Sequence, residues 1–334
     1  MKLICAPMAT LSHPGFRIIT EKFGGCDEYY TEMINVPSLI HGGQFEKFYI
    51  DPAPVPEKIV WQLTGKSAEP MIEAAALVAE IGGIGVDLNM GCSAPEIYNS
   101  GAGIAWMIKD IKETEALVKG VRSVLDAYEH FSGIKRRFSV KCRLGDENYT
   151  DDAFFSFTDM LVQNGVEQLA LHPRTRKEKY RDKPRWNYAQ KLAERYSSVS
   201  IIVNGDICDR NSFEKVKAVC PDCKGAMIGR MAVQKPWIFA ELAKSNDSEK
   251  KQIDLLLLGL DFIDAVEKYQ PPEFYKTRLQ RFFAYYCTNF SFAHYCRTQL
   301  LNSKSIEESR NILREYFDKV PSDRFKYSYK GCFK

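Results

Sequence analysis

Several features are scarce or missing in this 334-residue chain, and each absence narrows what it can be. In the C-terminal third, apolar runs such as Leu255–Leu258 fall far short of the roughly 20 residues that a membrane-spanning helix needs. The N-terminal Met1-Lys2-Leu3-Ile4-Cys5-Ala6 reaches Pro7 too soon to hold a signal-peptide core, so a cytoplasmic location is expected. The ten cysteines are scattered, which suits reduced thiols better than a disulfide framework. The one close pair, Cys220-Pro221-Asp222-Cys223, lacks the second ligand pair that a zinc knuckle requires, and no metal site is expected. There is no internal repeat and no low-complexity segment, and the net charge is only +3.

What is present is an alternation of short apolar segments with helical patterns. The segments are Leu3–Met8, Tyr29–Ile34, Lys58–Leu63, Gly85–Asn89, Phe138–Gly145, Gln168–His172, Ser200–Gly205 and Gly225–Arg230. Between them the periodicity predicts helices entered at Ser12-His13-Pro14 and over Pro70–Ile81, Ile111–Phe131, Asp151–Asn164, Tyr188–Tyr196 and Asn211–Val219. Eight such strands over about 240 residues indicate an α/β fold, a parallel (β/α)8 TIM barrel. An open doubly wound sheet is the alternative, but no glycine fingerprint follows the first strand. From about Asn246 the pattern changes: a charged, linker-like Asp247–Lys251 precedes purely helical periodicity over Ile253–Tyr269, Pro272–Asn289, Phe292–Leu301 and Ser305–Val320. The expected organisation is a barrel over 1–245 and a small helical domain over 246–334.

In a barrel of this kind the chemistry sits at the C-terminal strand ends. The polar residues there are Glu32, Gln62, Asn89 with Cys92, Lys141 and Arg143, His172 and Arg174, Asn204-Gly205-Asp206, and Gly229-Arg230. Cys92 follows a strand among glycines, a setting for a reactive thiol, although free cysteine is also a common buried packing residue. The last two strand ends point to a phosphate: Gly205 and Gly229 let main-chain N–H groups approach an anion, and Arg230 adds a charged fork. Lys141 and His172 are placed to hold the rest of a phosphorylated cofactor or substrate.

Taken together these residues resemble the tRNA-dihydrouridine synthases. The likeness rests on Ala6-Pro7-Met8, Thr31-Glu32-Met33, Gln62-Leu63-Thr64-Gly65, Asn89-Met90-Gly91-Cys92, Val140–Gly145, His172–Arg176, Asn204-Gly205-Asp206-Ile207 and Met227-Ile228-Gly229-Arg230, and it covers nearly the whole chain. It implies an FMN-dependent barrel that reduces uridine in tRNA with NADPH or NADH as electron donor. It implies FMN held by Pro7, Met8, Ala9, Gln62, Lys141, His172, Asn204, Gly205, Asp206, Gly229 and Arg230. It also implies Cys92 as proton donor, Asn89 beside the uracil with Arg143 and Arg174 on the substrate side, and a tail that grips tRNA. The family usually has a proline directly after this cysteine and lysines shortly beyond, whereas this chain has Ser93-Ala94-Pro95-Glu96.

The implied chemistry is consistent with these residue types. The C5=C6 bond of uracil is conjugated to a carbonyl, so hydride addition at C6 leaves charge that a proton at C5 must quench. A thiol with an ordinary pKa of about 8.5 is mostly protonated near neutrality and can act as general acid. Charge distribution allows a polyanionic partner, with a merely solvated basic face as the alternative: residues 270–334 carry 12 Lys and Arg against 6 Asp and Glu, while residues 1–269 carry 34 against 37. Lys276, Arg278, Arg281, Arg297, Arg310 and Arg314 are the tail cations expected to meet phosphates, and a monomer is expected. The rival reading is an FMN barrel reductase of a free pyrimidine or enone, which has no use for a basic tail. A barrel that binds RNA without catalysis is disfavoured by Cys92 and the flavin-site residues.

Overall fold

The computed structural model describes residues 1–243 and 251–328. Eight strands pair in parallel: β1 (Lys2–Cys5), β2 (Glu28–Tyr30), β3 (Ile59–Thr64), β4 (Gly85–Met90), β5 (Arg137–Cys142), β6 (Gln168–Leu171), β7 (Ser200–Asn204) and β8 (Gly225–Ile228). Each pairs with the next, and β8 returns to β1 with Ile4 opposite Met227, which closes the barrel. Such strands are covered on both faces, which is why they read as apolar runs rather than alternating ones. Part of the interior is an apolar layer of Ile4, Ala6, Tyr30, Val60, Ala170, Ile202 and Met227. The remainder is polar, as described below.

The outer helices are α1 (Pro14–Glu21), α2 (Ala68–Ile81), α3 (Ile111–Ser132), α4 (Asp151–Gln163), α5 (Asn187–Arg195) and α6 (Arg210–Val219). Their ends follow local chemistry. The Asp110 side chain caps α3, which stops at Gly133 with φ +70°, a left-handed turn suited to glycine. Asp209 and Ser212 form a reciprocal capping box on α6. After β8 come two short helices, α7 (Arg230–Gln234) and α8 (Ile238–Ala243).

The C-terminal region comprises β9 (Lys251–Asp254), α9 (Leu255–Tyr269), α10 (Pro272–Tyr286), α11 (Ala293–Asn302), α12 (Ile306–Lys319) and β10 (Phe325–Ser328). Its core is aromatic, with Phe262 stacked on Phe282 at 3.7 Å between ring centroids and Tyr286, Phe290, Tyr316 and Phe317 packed around them. The expected boundary at 245/246 and most of the Asp247–Lys251 stretch lie outside the described residues. Among the described residues no helix is long and apolar enough to cross a membrane.

Several expectations are corrected. The C-terminal region is helical as expected but also holds an antiparallel ribbon of β9 and β10, with Asp254 opposite Phe325. Asp254 ends the strand because its side chain caps α9 by accepting the Leu257 N–H. The second barrel strand stops at Tyr30, and Ile34–Asn35 is a separate short strand beside β3. The first strand stops at Cys5, which leaves Pro7-Met8-Ala9 in a loop.

A further correction concerns the tail arginines. Arg278 is 1% exposed and pairs at 2.6 Å with Glu32 of the barrel, itself 4% exposed. Its Nε also donates to Gln270 Oε1. Charge on a core-facing row is costly unless paired, and here the partner comes from the barrel. Arg310 is shared among Asp264, Glu267 and Glu307, and Arg314 lies against Glu307 and Asn311. Lys276, Arg281 and Arg297 remain exposed with no partner among the described residues. The C-terminal helices also join the rest of the chain where α9 packs on α1, with His13 against Phe262 and an ion pair between Lys22 and Asp261, and where Asn289 Nδ2 donates to the Gln234 carbonyl.

Candidate active site

The Cys92 loop leaves the end of β4 and is held from three sides. Asn89 Oδ1 accepts the N–H groups of Gly91 and Cys92 at 3.2 and 2.9 Å. Arg143 Nε donates to the Gly91 carbonyl at 3.0 Å, and the Ile104 N–H donates to the Cys92 carbonyl at 3.0 Å. Gly103 must be glycine, since its φ is +61° and a Cβ there would lie 2.6 Å from the Cys92 carbonyl oxygen. Pro95 sits at the start of a short helix, Pro95–Asn99, a position where its missing N–H does no harm. The departure Ser93-Ala94-Pro95-Glu96 thus forms a helix entry. Cys92 itself is half-buried at the barrel mouth.

Behind the cysteine runs a buried polar row. Asn89 Nδ2 donates to Gln62 Oε1 at 2.8 Å, and Gln62 Nε2 donates to Asp87 Oδ2 at 2.7 Å. Ser139 Oγ donates to Asp87 Oδ1 at 2.7 Å, and Gln168 Nε2 reaches Tyr30 OH at 2.6 Å. Burial pushes the Asp87 carboxyl up to about 6, against the hydrogen bonds from Ser139 and Gln62 and the attraction of Lys141 and Arg137.

Lys141 is opposite Asn89 in the β4–β5 register. Its ammonium has no hydrogen-bond or ion-pair partner among the described residues. Burial in the barrel, then the neighbouring Arg143 guanidinium, push it down to about 8. Arg143 is buried, and besides Gly91 it donates to the Thr175 carbonyl.

At the β6 end, Arg174 is 1% exposed and bonded to Asp206 at 2.5 Å and to His172 Nε2 at 3.0 Å. A guanidinium only donates, so His172 Nε2 is the acceptor and the imidazole proton sits on Nδ1. Burial, reinforced by Arg143, Lys141, Arg174 and Arg230, holds His172 well below the usual histidine range and keeps it neutral. Asp206 also receives Arg230 Nη2 at 3.1 Å, so the loops after β7 and β8 meet. Asn204 Nδ2 spans them by donating to the Met227 carbonyl. The main-chain N–H groups of Gly205, Asp206, Gly229 and Arg230 find no acceptor among the described residues. The Met8 N–H is held by Ser12 Oγ, Met8 abuts Gly229, and Ala9 is exposed at the rim.

The structure therefore brings all the expected residues to one end of the barrel, with a division among them. Lys141, His172 Nδ1 and the loop N–H groups keep donors with no acceptor among the described residues, and Arg230 gives one nitrogen to Asp206. Asn89, Gln62, Arg143 and Arg174 spend most of their polar atoms on the protein. Sequence reasoning overlooked Asp87 and Ser139, although Asp87 and Asn89 at i, i+2 in an apolar strand signal a shared inward face. It also overlooked Tyr180, 57% exposed, whose ring lies over His172 at 6.0 Å and under Arg230 at 4.1 Å. Cys220 and Cys223 are buried, Cys220 Sγ donates to the Trp186 carbonyl, and no group of three or more His, Cys, Asp or Glu suited to a metal occurs among the described residues.

A closed parallel barrel that carries a loop-borne thiol and a lysine without a partner among the described residues at its C-terminal mouth has the architecture of a (β/α)8 enzyme. The family model described as dihydrouridine synthase (Dus) matches residues 4–320. The chain belongs to that family and is an oxidoreductase. Among curated proteins it is 29% identical over 328 residues to the Bacillus subtilis (strain 168) protein named "Probable tRNA-dihydrouridine synthase 2", covering 95% of each chain. It is 31% identical over 268 residues to the Aquifex aeolicus (strain VF5) protein named "Probable tRNA-dihydrouridine synthase", covering 78% of this chain and 80% of the relative. Among solved structures, morphinone reductase superposes with a TM-score of 0.50 at 13% identity over 72% of this chain and 85% of that one, a likeness of fold.

Proposed function

We propose that this protein reduces the C5=C6 bond of uridine in tRNA, with FMN as its resident cofactor, NADPH or NADH as electron source and Cys92 as proton donor. The observation that carries the reading is the pairing of a fixed, half-buried thiol loop with the partnerless Lys141 ammonium across the β4–β5 register. The donors fit FMN. The N–H groups of Gly205, Asp206, Gly229 and Arg230, with the Arg230 side chain, suit its phosphate, and Lys141 with His172 Nδ1–H suits the polar edge of its ring. Pro7, Met8 and Ala9 would line one side, and Gln62 and Asn204 would act mainly by fixing neighbouring groups.

When bound, FMN supplies the hydride. The chain's own residues do the rest. Asn89 and Arg143 hold Gly91 and Cys92 so that the thiol faces the mouth, where it donates a proton to C5. Lys141 keeps positive charge near developing negative charge in a site shielded from water. Arg143 and Arg174 act on the substrate by positioning, through the Cys92 loop and through His172 and Asp206.

A uridine in folded tRNA must be extruded to reach this depth. Contacts for the surrounding RNA come from Lys276, Arg281 and Arg297 in the helical domain. The exposed rim residues Lys177, Lys179 and Lys183, which have no partner among the described residues, provide more. Such a spread of free cations has no role with a free pyrimidine or enone. We place the protein in the cytoplasm as a monomer, with a barrel to about residue 245 and the helical domain beyond. The test is to map dihydrouridine in tRNA from cells lacking the gene. Loss of particular dihydrouridines, restored by the wild-type gene but not by Cys92→Ala, supports the reading, and an unchanged map overturns it.

A further inference from the structure

The polar row beneath the cysteine has a direction. Beginning at the mouth, the N–H groups of Gly91 and Cys92 donate to Asn89, Asn89 donates to Gln62, and Gln62 donates to Asp87. From the other side Ser139 donates to the same carboxyl group. Every bond thus runs toward Asp87, which is fully buried on β4. An ionised carboxylate has only acceptors, and at neutral pH a carboxyl titrating near 6 is mostly ionised. It fixes the Gln62 amide with Nε2 inward and Oε1 outward. That orientation fixes Asn89 with Nδ2 inward and Oδ1 toward the loop. Either amide reversed would set two donors against each other.

We infer that Asp87 is a positioning residue for the Cys92 loop, acting through the amides of Gln62 and Asn89. The carboxylate does not touch the loop. It removes the second of the two orientations that each amide could adopt, and so keeps an acceptor under the Gly91 and Cys92 N–H groups. The consequence for the proposed reaction, a thiol held in one place, rests on the reading of Cys92 as proton donor. The relay itself does not.

The relay makes an unusual demand on substitutions. Asp87→Asn should be tolerated, because an asparagine can turn Oδ1 to Gln62 and Nδ2 to Ser139, whose hydroxyl then swings to the Val86 carbonyl 3.4 Å away. Asp87→Leu leaves Gln62 without its acceptor, and Gln62→Leu cuts the next link while leaving Asp87 with Ser139.

The test is amide hydrogen exchange on the FMN-loaded protein, followed in a peptide containing Gly91 and Cys92. Asp87→Leu and Gln62→Leu should each speed exchange of these amides roughly tenfold, the loss expected for one buried hydrogen bond. Asp87→Asn should match the wild type. In both leucine variants the faster exchange should be confined to this peptide, whereas a general structural defect would speed exchange in the peptides of the neighbouring strands as well. Wild-type exchange in both leucine variants overturns the relay. Gln62→Leu alone decides if Asp87→Leu does not fold. Full activity in Cys92→Ala would sink the proton-donor reading and leave the exchange result standing on its own.

Discussion

The ion pair between Glu32 and Arg278 gives a direct measure of how the barrel and the C-terminal helices depend on each other. Replacing Arg278 with methionine keeps most of the volume and removes the charge. Glu32 then retains only the Thr10 N–H at 2.5 Å in a site that is almost closed to solvent. Breaking a buried pair by deleting one partner typically costs about 3–5 kcal/mol, because the remaining charge is uncompensated. Burial already pushes the Glu32 carboxyl above its ordinary value, with Arg278 the largest opposing influence. Without Arg278 it should rise further. A carboxyl whose pKa is higher folded than unfolded binds more protons in the folded state, so stability falls as pH rises between the two values. The loss in Arg278→Met should therefore be largest at neutral or higher pH and shrink toward pH 4.

Urea denaturation at several pH values, followed by fluorescence, reads both effects. Glu32→Gln/Arg278→Met should recover much of the loss, since it removes both buried charges. A loss below about 1 kcal/mol for Arg278→Met, or one independent of pH, would refute the buried-pair argument, because such values belong to exposed pairs.

Four other outcomes are expected. Cys92→Ala should purify with full flavin yet form no dihydrouridine in tRNA, as measured by nucleoside mass spectrometry. Arg230→Ala should lose flavin on dialysis while binding tRNA normally; a charge-assisted hydrogen bond is worth about 1.5–3 kcal/mol, and full flavin retention would misplace the phosphate. Lys141 is charged below its value of about 8, so flavin affinity should fall as pH rises from 7 to 9, and Lys141→Met should abolish that dependence in a titration of the flavin-stripped protein. Removing Lys276, Arg281 or Arg297 singly should lower the slope of log affinity for tRNA against log salt by about 0.7–0.9 for each phosphate that the side chain neutralises, whereas Arg310→Ala should leave it unchanged.

The barrel was legible because parallel strands covered on both faces are apolar throughout, and helix ends carry their own punctuation. Gly133 and Asp209 mark boundaries that agree to within a residue or two. Strand ends were harder. Leu3–Met8 reads as one apolar run, but only pairing with β8 decides that the ladder ends at Cys5. The gathering of Lys141, His172 and Arg230 at one rim followed from the fold, since strand order places their loops together. The role of Asp87 did not, because a single acid in an apolar strand gains meaning only from the Gln62 and Ser139 of its neighbours. Arg278 and Arg281 are alike in sequence, and only the Glu32 side chain 246 positions away separates a buried clamp from a free cation. The ribbon of β9 and β10 was hidden for the same reason, its two strands being short, half-polar and remote from each other.

That ribbon gives the helical domain a chronology. Asp254, at the entry to α9, is bonded to Arg324, 70 positions later, and the Leu255 N–H is received by the Arg324 carbonyl. A chain made from its N-terminus has all eight barrel strands in hand by Ile228, but the entry to α9 acquires its bonds to Arg324 only when residues 324–328 emerge. A ribosome stalled between Lys319 and Phe325 would therefore display all eight barrel strands beside a helix whose entry still lacks its bonds to Arg324, and a protease that clips within 320–328 would loosen that entry while the packing of α9 on α1 stays in place.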